Sequence, residues 1–412
     1  MISRNACYWI WITLSIGYNN PKVKRISEMY SDVSAFYYGG ISEWRLCGIF
    51  SQKDIERFSS TGLDDAKKIV DRCIECNYSI LCIDDELFPK CLYNIECPPA
   101  LIYVNGVMPD IDNTFSIGIV GTRRATKYGI ENSYRFAYAL SKYGTIIVSG
   151  GALGVDGASH RGALATDGIT ICVRGCGLNC SYLRENSDIR STIPKRGAVI
   201  TEYPPDETPR NYYFPARNRI IAALSDGLLV MEAGKKSGSL ITANLAAEQG
   251  KTIFALLGNN SPQNEGSNAL IKEGLAIPVT DFMDILCEFD SLYATTDDEF
   301  DIDNISLADT GNFPVKGIRK QAPARIYVNK QNDQPPAKTA VPYVSEKSET
   351  VVQKPVHKEN LNLPKTAQDV YEYIGNEPVH IDKISADLKI PVFKVLTALT
   401  TVSYTHLRAH ET

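Results

Sequence analysis

Excess positive charge is the first thing this chain lacks. Its 412 residues carry 43 Lys/Arg against 48 Asp/Glu, a net charge of −5. No global basic field draws it to a polyanion, so any nucleic-acid site has to be a local patch. Histidine is scarce, with five in all, and none stands near a cysteine cluster. Cys73 and Cys76 form a C-x-x-C followed by Cys82, Cys91 and Cys97, but the later spacings are loose for a structural zinc site. Cys172, Cys176 and Cys180 read the same way, as reduced and half-buried thiols. The odd total of 11 cysteines argues against a fully paired secreted scaffold. No window holds the roughly 20 apolar residues of a membrane span. The opening MISRNACYWIWITLSIGYNN lacks a small-residue cleavage signature, and Trp9 and Trp11 interrupt its apolar run. A cytoplasmic protein without metal or cofactor is the expectation.

Length alone suggests two or three domains. Residues 1–108 read as a small, mostly helical module, with helical apolar spacing from Ser51 to Cys76 and short strands at Ser79–Ile83 and Ala100–Val104. From 109 to 287 the charge is nearly balanced, 18 Lys/Arg against 17 Asp/Glu. Here short apolar runs alternate with helical stretches such as Tyr128–Tyr143 and Ser239–Gln249. The runs are Ser116–Val120, Thr145–Val148, Ile169–Val173, Ala198–Ile200, Gly227–Met231 and Thr252–Leu256. That pattern predicts an α/β fold with a Rossmann-like, doubly wound, mostly parallel sheet. Residues 288–363 are acidic and then rich in Pro, Gln and Lys, so a disordered linker is expected. Residues 364–400 regain helical periodicity around a tight turn, as in a helix-turn-helix. The final VSYTHLRAHET fits no element. Its codons can spell a transposon-based sequencing adapter read in frame, so residues 401–412 are expected to be an artefact and the natural chain to continue past about Thr400.

Four constellations carry chemistry, and three of them follow strands directly. Gly121, Thr122 and Arg123 sit between a strand and a helix, where backbone N–H groups face an anion and arginine adds a bidentate phosphate donor. Alone, this is also what a plain strand-to-helix turn looks like. Gly150, Gly151 and Gly154 make a second backbone nest. Asp156 and His160 lie four residues apart there, and a structural hydrogen bond is expected of them rather than acid–base work, since no nucleophile is evident. Arg217, Asn218 and Arg219 form a donor cluster just before an apolar helix, with Tyr212, Tyr213 and Phe214 offering stacking surfaces. Lys236, Ser237, Gly238 and Ser239 open another helix; capping alone explains a serine but not two lysines and two glycines. Gly258 and Asn259, after the next strand, extend the same edge. Several phosphate-friendly loops on one sheet edge exceed what one nucleotide needs and suit a run of backbone phosphates.

Taken together these motifs resemble the DNA processing protein A family (DprA, also called Smf). The similarity runs through IVGTRRATKYG, SGGALGVDGASHRGAL, TEYPP, FPARNRIIAALSDGLLVMEA, SGSLITANLA and GSNALIKEGL, in order, over about 160 residues. FPKCLYNIECPPALIYVNG looks like the family's pre-Rossmann segment. Residues 1–75 are similar to its helical, SAM-like N-terminal domain, and 364–400 to the start of its C-terminal winged helix, truncated before the wing. The resemblance implies an extended Rossmann fold and a homodimer. It also implies binding and protection of single-stranded DNA, loading of RecA during natural transformation, and no catalysis. By motif it extends the DNA-binding role to Arg123, Gly150, Gly151, Gly154, Arg217, Asn218, Arg219, Ser237, Gly238 and Ser239. Two residues depart from the family pattern: Leu183 and Leu257 stand where proline is usual. The competing enzyme reading is a nucleotide-processing phosphoribohydrolase on a related fold, disfavoured because no glutamate closely follows Thr242. A dinucleotide dehydrogenase is disfavoured by the missing G-x-G-x-x-G.

Overall fold

The computed structural model describes residues 1–289, 368, 373 and 381–388. Five helices open the chain: α1 (Ala6–Ile16), α2 (Lys22–Met29), α3 (Val33–Leu46), α4 (Gln52–Ser60) and α5 (Leu63–Glu75). An element that is apolar all round has to be enclosed, and in α1 Trp9, Ile10, Trp11 and Ile12 are all buried. The Trp11 ring meets Phe36, Trp44 and Phe58 at centroid distances of 6.1, 5.7 and 5.1 Å. The interrupted apolar run at the start of the sequence is therefore the centre of a helical layer.

Nine strands follow: β1 (Ser79–Cys82), β2 (Leu101–Gly106), β3 (Ser116–Val120), β4 (Ile146–Ser149), β5 (Thr170–Val173), β6 (Ala198–Thr201), β7 (Gly227–Val230), β8 (Thr252–Leu256) and β9 (Ile277–Val279). They form one sheet in the order β1-β2-β6-β5-β4-β3-β7-β8-β9. β2 pairs antiparallel with β1 and β6, and every other pairing is parallel. The helices between them are α6 (Lys90–Tyr93), α7 (Lys127–Lys142), α8 (Val155–Ala165), α9 (Ser187–Thr192), α10 (Tyr213–Ala223), α11 (Gly238–Glu248), α12 (Glu265–Lys272) and α13 (Met283–Glu288). The expected doubly wound, mostly parallel α/β fold is present. The sheet also runs across the boundary expected at 108/109, because β1 and β2 extend it past β6.

Alternation along the strands builds two cores, one on each face. Ile117, Ile119, Ile147, Leu229 and Phe254 pack with Phe136 and Leu140 of α7 and Val155 of α8. Val148, Ile171, Val173, Leu228 and Val230 pack with Ile220 of α10 and Ala243 of α11. From β3 the chain winds outward to β4, β5 and β6, then returns past β3 to β7 and winds the other way. Adjacent β3 and β7 thus send their following loops in opposite directions, which opens a crevice at their carboxyl ends.

The chain divides into two compact units, Met1–Gln334 and Pro335–Thr412. In the second, described residues 381–388 form α14 (Ile381–Leu388), in which Ile384 is buried and the Asp387 carboxylate accepts from the Tyr373 hydroxyl. The expected linker and tail lie outside the described residues, as does most of the segment expected to begin a winged helix.

Candidate nucleic-acid interface

The crevice is a cleft of about 520 Å³ lined mainly from four places. These are the loop after β3, the Gly-rich loop after β4, the first turns of α10, and the start of α11. A buried carboxylate ties the first of these down. Glu232 follows β7, is fully buried, and accepts from the Thr126 amide at 2.8 Å and the Thr126 hydroxyl at 2.5 Å. Thr126 in turn caps α7 by accepting from the Gly129 amide at 3.1 Å. The positive end of α7 and two hydrogen bonds thus hold the Glu232 charge. The Thr122 amide donates to the Glu232 carbonyl at 2.8 Å, so the β3 and β7 loops are fixed to each other where the strands diverge.

The Gly-rich loop leans on the β3 loop. Gly154 has φ 76° and ψ −126°, a conformation reserved for glycine. A methyl group there would lie 2.4 Å from the Thr122 carbonyl oxygen and 2.9 Å from the Arg123 carbonyl carbon. Arg217 holds the other side of the loop. Its guanidinium donates to the Gly150 carbonyl at 2.9 Å and also to the Val173 carbonyl. Asp156 is buried, accepts from the Ala152 amide at 3.2 Å, and is raised by burial against the opposing field of Arg217.

Most of the expected residues converge on this cleft. Gly121, Thr122, Arg123, Arg217, Asn218, Ser237, Gly238 and Ser239 line it. Gly150 and Gly151 line a smaller hollow behind it, and Gly154 supports it from the far side. Arg123 is exposed and rests over the Phe214 ring at 5.4 Å. Ser237 caps α11 by accepting from the Ser239 amide at 3.4 Å.

Two expected residues are not brought to the cleft. Arg219 is 5% exposed, and its guanidinium forks onto the Glu202 carboxylate at 2.7 and 2.8 Å. It also donates to the Cys97 and Ala216 carbonyls. Lys236 is exposed outside the lining, while its neighbour Lys235 pairs with Glu265 at 3.6 Å. Gly258 and Asn259 do follow β8 at the same edge, but they too lie outside the lining. The Arg-Asn-Arg cluster is also not in a turn before a helix; it lies inside α10. Pro215 looks like a stop in sequence, yet a proline in the first turn of a helix has no hydrogen bond to lose. Helical spacing then sends Arg217 toward the cleft and Arg219 into the core.

Arg124, Tyr182 and Asn211, which are not among the expected site residues, also line the cleft. Arg124 stands inside the first recognised motif, IVGTRRATKYG, and was legible. Tyr182 was not, because it arrives from an irregular loop and lies tilted against Phe214 with ring centroids 5.3 Å apart. That loop has its own shape. Leu183 sits at φ 60° and ψ 68°, which a proline ring fixed near −65° cannot adopt.

Asp156 and His160 do not pair. His160 is fully buried, and its Nδ1 shares a hydrogen bond with the Thr170 hydroxyl at 2.8 Å, on β5 and not in the loop. Its Nε2 has no partner. Burial, helped by the charges of Arg161 and Arg217, pushes the imidazole down to about 3. The folded protein therefore binds this proton less readily than the unfolded chain, whose histidine titrates near 6.5. His160 contributes no penalty above the unfolded value and destabilises progressively as pH falls from about 6.5 toward 3. At pH 5 the loss is about 2 kcal/mol. His160→Gln is expected to flatten the fall in unfolding free energy between pH 7 and pH 5 by that amount, as read by urea titration. An identical pH dependence in the variant would contradict this account of the site.

Among the described residues, no group of three or more His, Cys, Asp or Glu is arranged to hold a metal ion. None of the described helices is long and apolar enough to cross a membrane.

Comparison with known proteins agrees with the motif order. Residues 79–290 match the family model described as DNA recombination-mediator protein A. The chain is 39% identical over 212 residues to Protein Smf of Escherichia coli (strain K12), covering 51% of this chain and 56% of that protein. It is 39% identical over 193 residues to DNA processing protein DprA of Bacillus subtilis (strain 168), covering 47% of this chain and 65% of that protein. The matched region thus spans less than two thirds of either relative. The crystal structure of DNA processing protein A from Streptococcus pneumoniae superposes with a TM-score of 0.61 at 31% identity, covering 70% of this chain and 99% of that one. With the family model matching from β1 to the end of α13 and the cleft motifs inside it, the chain belongs to the DNA recombination-mediator protein A family.

Proposed function

We propose that the cleft binds the sugar-phosphate backbone of single-stranded DNA, and that the protein acts by binding and not by catalysis. The observation that carries this reading is the make-up of the cleft. Exposed Arg123 and Arg124, the amide-rich start of α11 and the Phe214 ring face one open groove. Cations and helix N-termini hold phosphates, while a ring stacks any base without reading its sequence. The field is local, as the balanced charge of the domain requires. Membership of a recombination-mediator family, and likeness to proteins named for DNA processing, support DNA as the ligand. The fuller role follows from the same likeness: a cytoplasmic homodimer protects incoming single strands and loads RecA onto them during transformation and recombination.

The test is affinity for labelled oligo-dT measured across salt. Each lost phosphate contact flattens the slope of log K against log salt by about 0.7 for a single strand. Arg123→Ala and Arg124→Ala are each expected to show that change with an unaltered melting temperature. Unchanged slopes in both, or release of free base from nucleoside monophosphates, would overturn the reading.

A further inference from the structure

Behind the cleft lies a smaller hollow that shares Arg123, Tyr182, Phe214 and Arg217 with it. Its interior is about 20 Å³, enough for one or two oxygen-sized atoms. Arg174, Arg190 and Arg217 line it, and no carboxylate does. Arg174 and Arg217 are each 5% exposed. Part of each guanidinium is spent on carbonyl oxygens. Arg174 donates to Leu178 at 2.8 Å and Cys180 at 2.7 Å, and Arg190 donates to Leu183 at 2.6 Å. None of the three forms an ion pair among the described residues.

Buried cations without a counter-charge are costly. Asp156 opposes Arg217 and Asp188 opposes Arg190, while buried Arg174 has no carboxylate within ion-pair distance among the described residues. Asp188 is already paired with Arg161 at 3.2 Å. Burial, followed by the repelling field of Arg174, lowers Arg190. The nearby thiols do not supply the missing charge, since burial pushes Cys172 and Cys176 up to about 11.

We propose that this hollow is an oxyanion pocket for the terminal phosphate of a DNA strand lying in the cleft. The proposal rests on the cleft reading above. An internal phosphodiester must continue in both directions, whereas Cys172 and Gly175 line the hollow outside the part it shares with the cleft. A terminal phosphomonoester is tethered on one side. It carries close to two negative charges at neutral pH, and one or two of its oxygens can enter the hollow to meet the guanidinium groups.

The experiment compares internally labelled oligo-dT bearing a 5′-phosphate, a 3′-phosphate or hydroxyl ends, on the full chain and on Arg190→Gln. Arg190 lies outside the cleft lining. The wild type is expected to bind one phosphorylated end at least about fivefold more tightly than the hydroxyl-ended strand, the gain from a charge-assisted contact. Arg190→Gln should lose that ratio while keeping its affinity for the hydroxyl-ended strand. If Arg190→Gln melts early, Arg190→Lys replaces it and should at least halve the ratio. Equal binding of all three strands by the wild type overturns the assignment, as does a ratio that survives the substitution. Stabilisation of the wild type but not of Arg190→Gln by inorganic phosphate, with no end preference, also overturns it and assigns the pocket to free phosphate. Failure of every oligonucleotide to bind is a separate result, which removes the cleft reading and this proposal together.

Discussion

Arg219→Met is expected to lower the melting temperature by about 10 °C and to leave oligo-dT affinity within about twofold below the transition. Arg219 and Glu202 are 5% and 3% exposed. Their two parallel contacts at 2.7 and 2.8 Å hold both charges out of water. Deleting the cation strands the carboxylate in the core, which costs about 3–5 kcal/mol. For a domain of this size each kcal/mol moves the midpoint by roughly 2–4 °C. Arg219→Met/Glu202→Leu should recover most of the loss, because a buried ion pair and a packed apolar pair of similar volume are close in energy. It should not recover all of it, since the Cys97 and Ala216 carbonyls also lose a donor. Thermal melts of the two single variants and the double variant form the cycle. A stable Arg219→Met that binds DNA poorly would place Arg219 back among the cleft cations.

Gly154→Ala should cost at least tenfold in oligo-dT affinity. Its φ of 76° and ψ of −126° exclude a side chain, and holding alanine there costs about 1–3 kcal/mol. The added methyl meets backbone at 2.4 Å, and backbone cannot rotate away as a side-chain tip can. The β3 loop must shift, and Arg123 and Arg124 shift with it. Displacing two phosphate donors accounts for the tenfold loss, about 1.4 kcal/mol. Gly238→Ala is the control for stability, because nothing lies within 4 Å of a methyl there. Equal melting temperatures and equal affinities for the two alanine variants would sink this account of the loop.

Strands were the most legible part of this chain. Ser116–Val120 and Thr252–Leu256 appear with the bounds expected, because a strand buried on both faces must be continuously apolar. The glycine loops were equally plain, since a turn that approaches its neighbour leaves glycine as its residue. Sequence could not tell which arginine of α10 faces the ligand. Arg217 and Arg219 are chemically alike, and only helical phase separates them. Nor could it show that Glu202, in a stretch read only as part of a motif, closes on Arg219, or that Tyr182 returns to Phe214. Those contacts depend on where irregular loops end, which no periodicity encodes. The two strands of the N-terminal region were found but placed in a separate module, because antiparallel extension of a parallel sheet leaves no mark in the strand itself.

The most direct test of the strand's place is photocrosslinking of oligo-dT carrying photoreactive thymines to the full chain, with the adducts mapped by mass spectrometry. A strand in the cleft predicts adducts on Tyr182 and Phe214, lost when unlabelled single strand competes. Adducts confined to the α1–α5 helices, or spread evenly over the surface, would contradict it.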